Sequence, residues 1–233
     1  MSRLARWLGA VAVALMPLGA AAQQNVVMVE LYTSQGCHSC PPADAFLGEL
    51  SKRDNVLALA FHVDYWDYLG WKDGFGKATH TKRQRVYAST GKRRSIFTPE
   101  LIVGGTTSIV GHAKRKINAE VKAHLNAPAA VALEVAQSGD QVMVKVAQTG
   151  PVKPAGVFLV TYQPKAQVAI KQGENRGKTL TYHNPVLDMV RLGNWSGEGE
   201  ASYEGTVPAG DARHAVFVQA APQGPILAAA KLK

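Results

Sequence analysis

Apolar and polar positions divide this chain into two textures. From Asn25 to Leu125, strand-length apolar runs alternate with helical stripes; beyond Pro128 the pattern becomes short alternating strands. Val26 to Tyr32 is almost continuously apolar, interrupted only by Glu30, which suits a buried strand. Ser34-Gln35-Gly36 reads as a turn. Ala43, Phe46, Leu47 and Leu50 then recur at helical spacing behind Pro41 and Pro42, residues tolerated only in a first helical turn. Val56 to Val63 predicts a second strand, Tyr65 to Gly76 is aromatic and glycine-rich, and Lys77 to Ser89 reads as a polar helix. Ile96 to Val103 and Thr106 to Val110 flank Gly104-Gly105 as a hairpin. Ile117, Val121 and Leu125 mark one face of a helix over 113–125.

Asn126-Ala127-Pro128 reads as a boundary. Beyond it, Val131, Leu133 and Val135 alternate, Ser138-Gly139-Asp140 turns, and Val142, Val144 and Val146 return. Further strand-like runs cover 157–162, 167–171, 186–192, 201–207, 214–220 and 226–232. Short strands split by glycine and proline predict an antiparallel β-sandwich over 129–233. The Gly173 to Lys178 run lacks the Gly-Lys-Ser/Thr ending of a phosphate loop and reads as a turn between strands, or else as a partner-contact loop.

The first 22 residues predict a signal peptide. Arg3 and Arg6 form a positive flank, Trp7 to Leu18 is apolar, and Ala20-Ala21-Ala22 supplies small residues for cleavage. Cleavage would leave 211 residues and lower the formal charge from +9 to +7. The expected location is periplasmic or secreted, with no stable membrane span after cleavage. Lys and Arg are scattered in short clusters without interleaved aromatics, so no nucleic-acid partner is expected.

Export changes how the two cysteines read. Cys37-His38-Ser39-Cys40 holds both cysteines of the chain, between a strand-like run and a helix-like run. A bridge across two residues closes almost no loop and stabilises little, so its expected purpose is redox. Cys37 at a helix N-terminus would have its thiolate stabilised by free amide hydrogens and the dipole, with His38 adding positive charge when protonated. Cys40 would need a base, and Glu30 is the candidate; its structural alternative is a paired or edge carboxylate. His62, Asp64, Asp67 and Asp73 lie among aromatic residues. They suggest a substrate- or metal-facing loop, or an aromatic mini-core with capping carboxylates. Trp66 is a substrate-side candidate that equally fits a packed anchor. A Cu(I) site from Cys37, Cys40 and His62 is chemically reasonable. Pro41 in place of His rules out the haem-attachment pattern, and no second Cys pair exists for structural zinc.

The order strand, Cys-x-x-Cys at a helix start, strand, then Thr-Pro leading to a hairpin and a helix resembles the thioredoxin fold over about residues 25–126. More closely, Glu30 to Cys37, Cys40-Pro41-Pro42-Ala43-Asp44, His62 to Asp67, Gly70-Trp71-Lys72-Asp73, Arg83-Gln84 and Gly173 to Lys178 resemble the DUF1223 family of exported thioredoxin-like proteins. The resemblance implies an α/β thioredoxin-like domain followed by an antiparallel β-sandwich-like domain. It implies that Cys37 is the exposed nucleophile, Cys40 the resolving thiol, and Pro99 a cis-proline facing the dithiol, with Thr98 positioning a substrate chain. The expected activity is thiol–disulfide exchange on protein or small-molecule thiols, with a possible redox partner protein. No cofactor is expected beyond a redox-active Cys37–Cys40 disulfide. The alternatives are a Cu(I)-binding protein or metallochaperone, and a non-catalytic interaction module.

Overall fold

The computed structural model describes residues 25–232; the expected signal peptide at 1–22 lies outside them. The first half runs β1 (Val27–Thr33), α1 (Pro41–Leu50), β2 (Val56–His62), α2 (Ala78–Thr90), β3 (Glu100–Val103), β4 (Thr107–Val110) and α3 (Lys114–Asn126), with a single 3-10 turn at Asp67–Leu69. These four strands form one mixed sheet in the order β2-β1-β3-β4. β1 and β2 are parallel, from Val27 opposite Val56 to Thr33 opposite His62, and β3 runs antiparallel to β1 and β4. Every residue of β1 and β2 is buried, the physical reason their apolar runs lack alternation. Val29, Leu31, Ala58 and Ala60 pack on α1 and α3 through Phe46, Leu47, Ile117 and Val121. Met28, Tyr32, Leu57, Leu59 and Phe61 point to the other face.

The second half is all strand: β5 (Val131–Ser138), β6 (Gln141–Gln148), β7 (Ala155–Tyr162), β8 (Lys165–Ala169), β9 (Thr179–His183), β10 (Val186–Trp195), β11 (Glu200–Thr206), β12 (Arg213–Ala220) and β13 (Ile226–Lys231). Two antiparallel sheets, β10-β7-β12-β13 and β11-β6-β5, pack through Leu133, Val144, Val146, Val157, Leu159, Val216 and Val218. The first of them is buried on its second face as well. Val160, Tyr162, Ala215 and Phe217 alternate with the sandwich-facing residues and pack against Met28, Tyr32, Leu59 and Phe61 of the mixed sheet. Full burial of such side chains stabilises by roughly 1.5–3 kcal/mol each, so this shared layer is a large part of what holds the two halves together.

The β8–β9 hairpin leaves the sandwich and crosses to α1. Strand β9 is absent from the sequence pattern, because Leu180 and Tyr182 are its only large apolar residues. Gly48 permits the crossing: a Cβ there would lie 2.5 Å from the His183 ring. The chain then follows the outer edge of β2, where the Ala60 amide donates to the Asn184 carbonyl at 2.9 Å and the Asn184 side chain donates to the Ala58 carbonyl at 2.8 Å.

Candidate functional site

The turn between β1 and α1 is built by backbone hydrogen bonds from the Cys37 amide to the Ser34 carbonyl at 3.1 Å and from the Cys40 amide to the Cys37 carbonyl at 3.3 Å. Helix α1 starts at Cys40, whose carbonyl accepts from the Asp44 amide at 3.0 Å. Pro41 and Pro42 occupy its first turn, as their spacing predicts. Cys37 and Cys40 form a disulfide with their Cα atoms 5.4 Å apart. His38 and Ser39 are exposed, but both cysteines are completely buried. The expectation of an exposed Cys37 is therefore corrected.

The second half of the chain hydrogen-bonds the backbone of the dithiol loop. Asn175, fully buried between β8 and β9, donates from Nδ2 to the carbonyls of Gln35 at 2.9 Å and Cys37 at 3.0 Å. Glu174 accepts from the His38 amide at 3.1 Å. The run Gly173 to Lys178 is thus a turn between strands, as expected, and also touches the dithiol loop. Trp66 lies close over Gly36, where an added Cβ would be 3.1 Å from its own Cβ, and donates from Nε1 to Thr98 Oγ1 at 2.8 Å. The Thr98–Pro99 peptide is cis. Gly111 sits between Ala43 of α1, Pro99 and Leu31 so tightly that a Cβ would meet the first two at 2.9 Å. Thr98, Pro99 and Trp66 therefore stand at the same end of the mixed sheet as the disulfide.

Glu30 does not stand there. It shares its sheet face with Tyr32 and Met28, away from α1 and Cys40. Arg83 donates to it from Nε at 2.7 Å and Nη2 at 3.0 Å, and the Tyr87 and Tyr32 hydroxyls donate at 2.6 and 3.1 Å. Arg83 also donates to Gln219 of β12 at 2.9 Å. Burial works against the Arg83 charge, but the Glu30 carboxylate overrides it and raises the pKa further. Glu30 ties β1, α2 and β12 together; the proton-transfer role expected for it is corrected on geometry.

The face beneath Cys40 carries a different set. His62 Nδ1 lies 2.7 Å from Asp73 Oδ2, with both side chains fully buried. Asp73 is fixed by the amides of Gln35 at 2.8 Å and Phe75 at 2.9 Å. Burial would raise the Asp73 pKa, but His62 and these hydrogen bonds hold it below the usual carboxylate range. Burial likewise opposes charge on His62, yet the Asp73 carboxylate raises its pKa. Both shifts favour the charged form of the pair over the neutral one. Asp64 and Asp67 are used locally, accepting from Thr81 and from the Asp73 amide.

Asp44, one helical turn beyond Cys40, is also buried, and neither carboxylate oxygen has a hydrogen-bond partner among the described residues. Burial pushes its pKa up to about 7, with His62 pulling it partway back. Thr33 Oγ1, Gln35 Nε2, His62 Nε2 and the Tyr182 hydroxyl are buried and unpartnered too. The hidden signal for Asp44 is a carboxylate inside the stripe Ala43, Phe46, Leu47, Leu50. Nothing in the local pattern marks Asn175.

Among the described residues no group of three His, Cys, Asp or Glu side chains is placed to hold a metal ion, and no helix is long and apolar enough to cross a membrane. Two surface grooves, of about 720 Å³ beside Asp140 and Arg213 and about 440 Å³ beside Lys82 and Arg191, are not lined by the dithiol residues.

Residues 28–219 match the family described as "Protein of unknown function (DUF1223)", and the chain belongs to that family. The chain is similar to a protein from Agrobacterium tumefaciens known from an X-ray crystal structure. The two share 29% identity over 91% of this chain and 96% of that one, with a TM-score of 0.77. A hypothetical protein from Pyrococcus horikoshii OT3 shares 14% identity over 44% of this chain and 87% of its own, at a TM-score of 0.21, too distant to bear on the fold. No curated protein matches the chain.

Proposed function

We propose that this DUF1223 protein is an exported thiol–disulfide oxidoreductase with a thioredoxin-like first half, acting on protein or small-molecule thiols. The observation that carries the reading is the Cys37–Cys40 disulfide at the start of α1, with Thr98 and Pro99 at the same sheet end. The strand order β2-β1-β3-β4, with β3 antiparallel and α1 and α3 on one face, supports the thioredoxin-like comparison.

A substrate thiolate attacks Cys37 Sγ; the Cys37–Cys40 bond breaks, and its electron pair leaves on Cys40 Sγ. A second substrate thiol releases Cys37 and leaves as a substrate disulfide. In the reverse direction a substrate disulfide reoxidises the dithiol. The dipole of α1 favours a thiolate ahead of its N-terminus, and Ser39 Oγ stands 3.6 Å from the Cys37 sulfur; Pro41 and Pro42 supply no amide hydrogen, and the Ala43 and Asp44 amides are taken by the Cys40 carbonyl. Because Cys37 is buried, attack requires the Glu174–Asn175 turn to move aside.

The test equilibrates the mature protein in graded glutathione buffers, traps free thiols and counts alkylated cysteines by mass. A reversible two-electron transition is expected, absent in Cys37→Ser. A midpoint near or above about −200 mV assigns an oxidase or isomerase, and one near about −270 mV a reductase. No reversible transition overturns the proposal; thiols shielded until a chelator is added would reassign the dithiol to soft-metal binding.

A further inference from the structure

We propose that Asp44 is the proton donor and acceptor for Cys40, set in place by α1 and flanked by the buried His62–Asp73 pair. The inference rests on the oxidoreductase reading above.

Residues four apart on a helix lie on one face, and Cys40 already has helical backbone angles. The Asp44 amide donates to the Cys40 carbonyl, so the two residues are locked one turn apart. Both are buried against the sheet. A buried carboxylate without a hydrogen-bond partner costs stability and calls for an explanation. Glu30, Asp73 and Glu100 are buried carboxylates too, yet each has several donors or a cation. Asp44 alone among these four has no donor within hydrogen-bonding distance of either oxygen, the Thr33 hydroxyl lying near enough only to lower its pKa.

The groups that set its charge come from every side. Thr33 of β1 contributes a hydroxyl, His62 of β2 an imidazole paired with Asp73, and β9 the Tyr182 phenol, whose own pKa is raised by burial and then by Asp44 and Asp73. The phenol therefore stays neutral. A carboxyl that titrates at about 7 populates both donor and acceptor forms near neutral pH, as efficient proton transfer requires.

The step balances. On reduction, substrate thiolate forms a bond to Cys37 Sγ, the disulfide breaks, and the Asp44 carboxyl passes its proton to the departing Cys40 sulfur. On reoxidation by a substrate disulfide, the Asp44 carboxylate takes the Cys40 proton. The Cys40 thiolate then attacks Cys37 Sγ in the mixed disulfide and expels substrate thiolate.

The test measures reduction of the oxidised protein by dithiothreitol from pH 5 to 9 in wild type and Asp44→Asn. At pH 6 the variant is expected to be at least tenfold slower; at pH 9, where Asp44 has lost its proton, the two rates converge. A ratio that stays flat across pH overturns the proposal, since a merely structural residue has no reason to act at low pH alone. Wild type that exchanges with dithiothreitol at no pH removes the oxidoreductase reading instead. Should Asp44→Asn fail to fold, carbon NMR of labelled aspartate carboxyls in wild type decides. An Asp44 titration that moves between the oxidised and reduced protein supports the role, and an identical titration in both overturns it.

Discussion

Glu30 and Asp44 show how differently two buried carboxylates behave in one fold. Glu30 has a bidentate arginine and two phenols; removing its charge strands Arg83 in the interior. Glu30→Gln is therefore expected to lower the unfolding free energy by about 3–5 kcal/mol, read by urea titration, while leaving the pH profile of dithiol exchange unchanged. Asp44 works against stability. Its folded pKa of about 7 stands above the unfolded value of 3.8, so the native state holds a proton that the unfolded chain releases between those pH values. Stability from this group is present in acid and is lost as pH rises. The advantage of Asp44→Asn over wild type should grow between pH 4 and pH 7 to roughly 4 kcal/mol, checked by denaturation at each pH. His80 has the opposite sign. Burial lowers its pKa to about 4, so it loses stability as pH falls below its ordinary value of 6.5, partly cancelling the Asp44 slope in wild type. At this scale the dithiol is legible in the sequence because type and spacing carry it, whereas Pro99 is singled out only by the thioredoxin resemblance. Glu30 is misread because a lone carboxylate in an apolar run does not reveal which sheet face it takes.

Among the elements, the Glu174–Asn175 turn has the most leverage on the site. It belongs to the hairpin β8–β9, yet it hydrogen-bonds the backbone that carries Cys37. Asn175→Ala removes two buried donors, leaving two carbonyls unsatisfied at a cost of about 1–3 kcal/mol. It is expected to raise the rate at which a phosphine reductant opens the disulfide by tenfold or more; an unchanged rate would show that the turn does not limit access. Strands β1 and β2 are legible as continuous apolar runs, and helix α1 and the β5–β6 hairpin because each follows one period along its length. Strand β9 is not, since its burial comes from α1 and from the tight approach at Gly48 rather than from its own alternation. The sandwich strands are read correctly as a set, but nothing in their pattern distinguishes the sheet buried on both faces from the one with a solvent face.

Across the whole molecule, the boundary near Pro128 separates two chain segments but not two independent cores. α1 and α3 cover one face of the mixed sheet, the sandwich has its own interior, and a third apolar layer is shared. Residues 25–126 alone would expose Met28, Tyr32, Leu57, Leu59 and Phe61 together, a patch that an isolated domain does not tolerate. That fragment is expected to lack a cooperative thermal transition and to bind a hydrophobic dye, whereas the full chain melts as one unit. A cooperative, dye-free fragment would refute the shared layer as a requirement. The outer edge of β2 adds a directional consequence. At Ala58 and Ala60 its hydrogen bonds are completed by Asn184 and Pro185, so a chain emerging N-terminus first carries that part of the strand edge open until most of its length has appeared. During that interval the edge is a template for a neighbouring nascent chain. The concentration of nascent chains therefore sets how often two half-made copies meet before that edge is covered.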